Sequence, residues 1–242
     1  MAKIRYNLYQ LFKSTRKGVG WWARFTHSTA TLYAFRNFLM LLLRGVIKRC
    51  FGFNDDALKR FDLEWRHYYK HVMQNKSVLD VGCGLADHGK EIMETGSAST
   101  VFGVDLSLGL VASATSAYPA YYFCVADACN LPFHDKSVDV VVANFTFHHI
   151  EVSNRALALK ELMRVARSAV ILRDVFGVRK GVLGSLYKYY YSIVDGSFCR
   201  YTLSEWLDFI QSCNAELVKT FYTDENSVVN RHCCFVIKES GN

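Results

Sequence analysis

Val78-Leu79-Asp80-Val81-Gly82-Cys83-Gly84-Leu85-Ala86-Asp87-His88-Gly89 decides the architecture of this chain. Its beginning belongs to a short apolar run, Ser77 to Val81, of the length of a buried strand. The glycines that follow let the backbone turn tightly into a helix, since a residue without Cβ adopts left-handed conformations freely. A strand–loop–helix of this kind presents backbone N–H groups where a nucleotide-like ligand can approach with no Cβ in the way. The glycine spacing alone is a weak signal. Asp80, two residues before Gly82, sharpens it when taken with Asp105 and Asp127, each at or just after a strand end.

Working outward, Val101-Phe-Gly-Val-Asp105 reads as a second strand ending in a carboxylate, about 20 residues past the glycines. In dinucleotide folds an acid at that offset accepts hydrogen bonds from ribose hydroxyls, and a carboxylate suits the task because it only accepts. Tyr121 to Asp127 reads as a third strand running into the loop Ala128-Cys-Asn-Leu-Pro-Phe133. Val138 to Asn144 is a fourth strand and Ala169 to Asp174 a fifth. Asn54 to Lys70 reads as a capped helix, His88 to Thr95 as the helix after the loop, and Arg155 to Arg167 as a helix with Ala166-Arg-Ser168 as a short connection. Leu203 to Cys213 reads as a helix capped near Thr202 or Ser204, with Ala215 to Tyr222 and His232 to Lys238 as a closing strand pair. Strand and helix alternate, which predicts a parallel sheet with helices on both faces.

The glycine loop and three acids in register with successive strand ends resemble the cofactor-binding half of class I S-adenosylmethionine (SAM) dependent methyltransferases, over roughly residues 65 to 175. The resemblance implies a Rossmann-like, doubly wound, mostly parallel seven-stranded α/β sheet with an N-terminal helical cap. Residues 1–64 would be a basic, aromatic extension and residues 65–242 the methyltransferase domain. It further implies SAM as cofactor, bound by Asp80, Gly82, Cys83, Gly84, Asp105, Leu106, Asp127, Ala128 and Asn144, with Asp127 and the next residue's backbone at the adenine. One departure is visible: the family's third glycine falls at Ala86. NAD binding uses the same strand–loop–helix, but its fingerprint requires glycine at position 87, where Asp87 would repel a pyrophosphate.

Methyl transfer asks the protein to align a nucleophile, exclude water and, for a hydroxyl, remove a proton. Asn144-Phe-Thr-Phe-His-His-Ile150 follows the fourth strand, at the sheet edge where ligands of open α/β folds bind. A histidine suits a base at neutral pH. Successive helical positions point about 100° apart, so one of His148 and His149 at most faces the acceptor. The resemblance points to His148 acting together with Asp174, with His149 the weaker candidate; a hydrogen-bonded structural pair is the competing reading. Tyr68, Tyr187 and Tyr191 are candidate acceptor-binding residues, although tyrosine at helical spacing equally serves packing. An aromatic wall and an apolar cap suggest a small hydrophobic acceptor: a phenol, quinone precursor, polyketide-like metabolite or lipid. No Asn-Pro-Pro-Tyr motif follows the fourth strand, which disfavours methylation of a nucleobase or glutamine amide.

The composition fits this picture. The chain has 242 residues, 51% hydrophobic and 21% charged, enough for one sizeable core. Its 8 cysteines include no C-x-x-C pair, so reduced thiols in a cytosolic-type compartment and no metal site are expected. Charge is uneven. Residues 1–54 carry ten Lys or Arg and no Asp or Glu, and removing these ten from the overall +7 leaves the remainder at −3. The same segment holds Trp21, Trp22, Phe25 and Phe38, and its longest apolar run, Phe38 to Leu43, is too short to span a bilayer. Three readings stay open: a surface docking on anionic lipid, an organellar targeting segment, and a solvated helical cover for the core. A cap that also touches membrane or an apolar substrate is favoured, and the interleaved Leu and Phe argue against nucleic acid as the partner. The rival functions are an RNA or protein methyltransferase docking through this segment and a non-catalytic SAM-fold interaction protein. The acceptor and the oligomeric state are left open.

Overall fold

Phe61, Trp65, Tyr69 and Met73 recur every fourth residue and are all buried, which makes one apolar stripe on a single helix. That helix, α1 (Asp56–Met73), opens the described part of the computed structural model, which covers residues 56–94, 98–177, 200–223 and 232–239 together with the helical positions Thr31, Phe35 and Phe38. The boundary expected between residues 64 and 65 falls inside this continuous helix.

The elements then alternate: β1 (Lys76–Val81), α2 (Asp87–Glu94), β2 (Ala98–Asp105), α3 (Leu108–Ala117), β3 (Tyr122–Val125), β4 (Val138–Asn144), a 3₁₀ turn (Phe147–His149), α4 (Val152–Val165), β5 (Ala166–Val175), α5 (Leu203–Ser212), β6 (Ala215–Tyr222) and β7 (His232–Glu239). The seven strands form one sheet in the order β3-β2-β1-β4-β5-β7-β6. Every pairing is parallel except those of β7, which runs antiparallel to both β5 and β6. The expected seven-stranded, doubly wound α/β fold is therefore what the chain adopts.

Strand alternation divides the core between the two faces. Val78, Val140, Val142, Ile171 and Cys234 pack under α1 with Ile92 of α2. Leu79, Val81, Val141, Val170 and Leu172 pack on the other face under α4 and α5, where Leu159, Leu162, Trp206 and Ile210 cover them. Each such side chain contributes about 1.5–3 kcal/mol on burial. Thr202 and Glu205 form the expected reciprocal cap at the start of α5. One boundary differs from the sequence reading. Ala166-Arg-Ser168 is not a connection but the start of β5, so α4 passes directly into the strand. The reason is tertiary: Ala166 pairs with Val138, Arg167 bonds Asp139, and Ser168 Oγ donates to the Asp139 carbonyl at 2.6 Å.

Strand order reverses between β1 and β4, because β2 and β3 lie to one side and β5 to the other. The carboxyl ends of β1, β2, β4 and β5 thus open on the switch-point crevice where such sheets bind ligands.

Candidate active site

The glycine loop is built by backbone, not by side chains. Gly82 and Gly84 sit at φ +77° and +57°, conformations that favour glycine. The N–H groups of Gly82 and Cys83 both donate to the Val104 carbonyl, at 2.8 and 3.0 Å, and so fasten the loop across the end of β2. Gly82 is also required by contact, since a Cβ there would lie 2.3 Å from Thr146 Oγ1. That hydroxyl lies 3.1 Å from the carbonyls of Val81 and Asn144, so it links the ends of β1 and β4. Ala86, standing where a third glycine was expected, takes the left-handed φ of +65° with its methyl buried.

Asp105 ends β2 and is anchored by main chain. Its Oδ2 accepts from Gly84 N–H at 3.0 Å and its Oδ1 from Ser107 N–H at 2.8 Å, so each oxygen keeps accepting capacity. Burial pushes its carboxyl above the ordinary range; the two N–H donors oppose that shift and the nearby Asp80 adds to it. Leu106, the next residue, is exposed. Asp127 closes a short turn, Oδ1 accepting from Cys129 N–H at 2.9 Å, with Ala128 half-buried beside it. Cys83 is buried, and its thiol is held protonated by burial and then by Asp80 and Asp105.

At the ends of β4 and β5, His148 and Asp174 form a buried pair. His148 Nδ1 lies 2.5 Å from Asp174 Oδ1, and His148 N–H donates to Asp174 Oδ2 at 3.0 Å. Val175 N–H adds a 2.7 Å bond to Oδ1. Both carboxylate oxygens are thereby engaged, one with the imidazole and the other with the backbone of the same histidine. His149 is less buried, its ring centred 4.0 Å from that of His148.

On the α1 side of the same edge the structure gathers His88 and Arg173, to which the sequence reading gave no role, around the expected Asp80. Asp80 is fully buried, with His88 Nδ1 3.8 Å from its Oδ2. Tyr69 hydroxyl, 3.0 Å from His88 Nε2, stays a neutral phenol because burial, then the Asp80 charge, raises its pKa. Arg173 pairs with Asp62 of α1 at 2.8 Å and lies against the rings of Phe61, Trp65 and Phe145. Burial pulls its pKa down, while Asp62 acts the other way. The available signal was its place one residue before Asp174, which puts it at the same strand end on the opposite face. Of the expected acceptor residues, Tyr68 packs on Phe221 of β6, centroids 5.3 Å apart. Tyr187 and Tyr191, and nearly all of residues 1–54, lie outside the described residues.

Fold and crevice together define an open α/β domain with an acid at the end of each of several strands. Residues 79–172 match the family described as a methyltransferase domain. Over this stretch the chain is similar to class I SAM-dependent methyltransferases, a likeness that supports SAM as the cofactor. Among curated relatives, a demethylmenaquinone methyltransferase of Thermotoga maritima is 28% identical over 135 residues, covering 53% of this chain and 58% of the relative. A protein of Bacillus subtilis named as a putative 23S rRNA (guanine-N(1)-)-methyltransferase is 31% identical over 97 residues, covering 36% and 34%. The chain thus spans about half the length of the first of these relatives and a third of the second. A solved SAM-dependent methyltransferase of Methanosarcina mazei shares the fold with a TM-score of 0.56 at 21% identity, over 71% of this chain and 94% of that one.

Proposed function

We propose that the protein transfers the methyl group of SAM to an oxygen or carbon atom of a small hydrophobic acceptor, aromatic or quinone-like in character. The observation that carries this reading is the buried His148–Asp174 pair at the edge where the cofactor crevice opens. The name of the Thermotoga relative supports a quinone-like acceptor.

The residues present suit the cofactor. Asp105 keeps free lone pairs for two ribose hydroxyls, and Asp127 with the Ala128 backbone would meet the adenine beside Leu106. Asp80 and Asn144 offer buried acceptor oxygens with no hydrogen-bond partner, suited to a cationic ligand. When bound, SAM supplies a methyl carbon on a sulfonium that an electron-rich atom can displace in line. The protein's own contribution is alignment, exclusion of water and proton removal. With Nδ1 turned to Asp174, Nε2 of His148 is the ring nitrogen that would take the acceptor's proton, and Asp174 would balance the charge this creates.

His148→Ala is expected to lower turnover by about 10²–10⁴-fold, as loss of a general base does, with SAM affinity retained and His149→Ala milder. Calorimetric titration with SAM beside a labelled-methyl assay checks both halves. Undiminished turnover across neutral pH would assign the pair a structural role.

A further inference from the structure

The polar side chains that end β1, β4 and β5 on the α1 face keep hydrogen-bonding capacity unused. Asn144 stands opposite Arg173, and Asp80 opposite Val142, two residues below Asn144 on the same strand face. Both carboxylate oxygens of Asp80, Oδ1 of Asn144 and Nε of Arg173 are shielded from solvent with no hydrogen-bond partner. Buried polar groups are normally paired, so unpaired ones gathered at a crevice ask for a ligand. Their chemistry is ordered across the sheet: acceptors on β1 and β4, a donor on β5. Arg173 is bonded to Asp62 through one terminal nitrogen, and its guanidinium, held among Phe61, Trp65 and Phe145, retains donors for a carboxylate. His88 Nδ1 lies 3.8 Å from Asp80 Oδ2, beyond hydrogen-bond distance.

We propose that Arg173 receives the carboxylate of the amino-acid end of SAM in exchange for Asp62, while Asp80 and Asn144 take the ammonium of that same end. The inference rests on SAM being the cofactor and adds the residue that reads its carboxylate. An amino-acid end is a zwitterion, and acceptors facing one donor across neighbouring strands match its two charges in sign and order. Asp62 then holds the guanidinium in place until the carboxylate arrives, and competes with it.

The test is titration calorimetry on the full chain with four ligands: SAM, S-adenosylhomocysteine, decarboxylated SAM, which keeps the ammonium but lacks the carboxylate, and 5′-methylthioadenosine, which lacks both. Arg173→Gln is expected to weaken SAM and S-adenosylhomocysteine by about 10- to 100-fold, to leave the other two within about twofold, and to be partly rescued by Arg173→Lys. The wild type should discriminate against decarboxylated SAM and the Gln variant should not, a coupling that general loosening of the site would not produce. Asp62→Asn keeps the shape of the helix contact and removes the competing charge, so it should bind S-adenosylhomocysteine more tightly. This variant serves where Arg173→Gln fails to fold. Equal losses for all four ligands, no loss, or weaker binding by Asp62→Asn would overturn the assignment of Arg173. Absence of binding by the wild type to every one of the four would overturn the cofactor reading itself.

Discussion

Asp105 shows how one residue carries both order and function. Its carboxylate fixes the glycine loop through Gly84 and the start of α3 through Ser107, yet neither bond exhausts its oxygens. Because burial raises its pKa, acidification protonates it earlier than an ordinary carboxylate. Ionised Asp105 accepts from both ribose hydroxyls, whereas the protonated form has lost part of that capacity, so SAM affinity should fall as pH drops through the raised value. Asp105→Ala should cost about 1.5–3 kcal/mol of binding, the worth of hydrogen bonds to a charged group, and should abolish that acid limb. Titration calorimetry between neutral and acidic pH checks this, and an unchanged affinity in the variant would refute the ribose role.

At the scale of elements, the pairing of β1 with β4 is reinforced where both strands begin. Asp139 accepts from Ser77 N–H at 3.0 Å, from Ser77 Oγ at 2.7 Å and from Arg167 at 2.5 Å. The hydrogen bonds from Ser77, and then Arg167, hold its carboxyl below the ordinary range. A depressed carboxyl contributes stability that is present above its unfolded pKa, about 3.9, and is lost as pH falls through the lower folded value. Asp139→Asn should therefore cost about 1–2 kcal/mol near neutral pH, with the difference from wild type shrinking on acidification; urea unfolding at several pH values measures it. The central strands were legible in the sequence because parallel strands buried on both faces read as unbroken runs of Val, Leu and Ile. The start of β5 was not, since Ala166, Arg167 and Ser168 carry no strand signal of their own and enter the sheet through partners on β4. The His148–Asp174 pair was legible through resemblance. The Arg173 cluster was not, because it exists only once α1 lies across the sheet and brings Asp62, Phe61 and Trp65 to it.

For the whole molecule, the charge imbalance between residues 1–54 and the rest is the feature still to be assigned a partner. No helix among the described residues is long and apolar enough to cross a membrane. Ten positive charges without a carboxylate, interleaved with Trp, Phe and Leu, fit a surface rich in anionic lipid. Sedimentation with anionic vesicles should fall sharply when residues 1–54 are deleted and should weaken with salt; equal sedimentation of the two forms would remove the idea. A small hydrophobic acceptor accounts for the whole arrangement. Incubation with methyl-labelled SAM and separate lipid, RNA and protein extracts, followed by partition into organic solvent, tests it most directly. Label entering a small, organic-soluble product made from the lipid extract, and lost in His148→Ala, is the expected result. Label confined to RNA or protein, or no transfer from SAM to any extract, would contradict it.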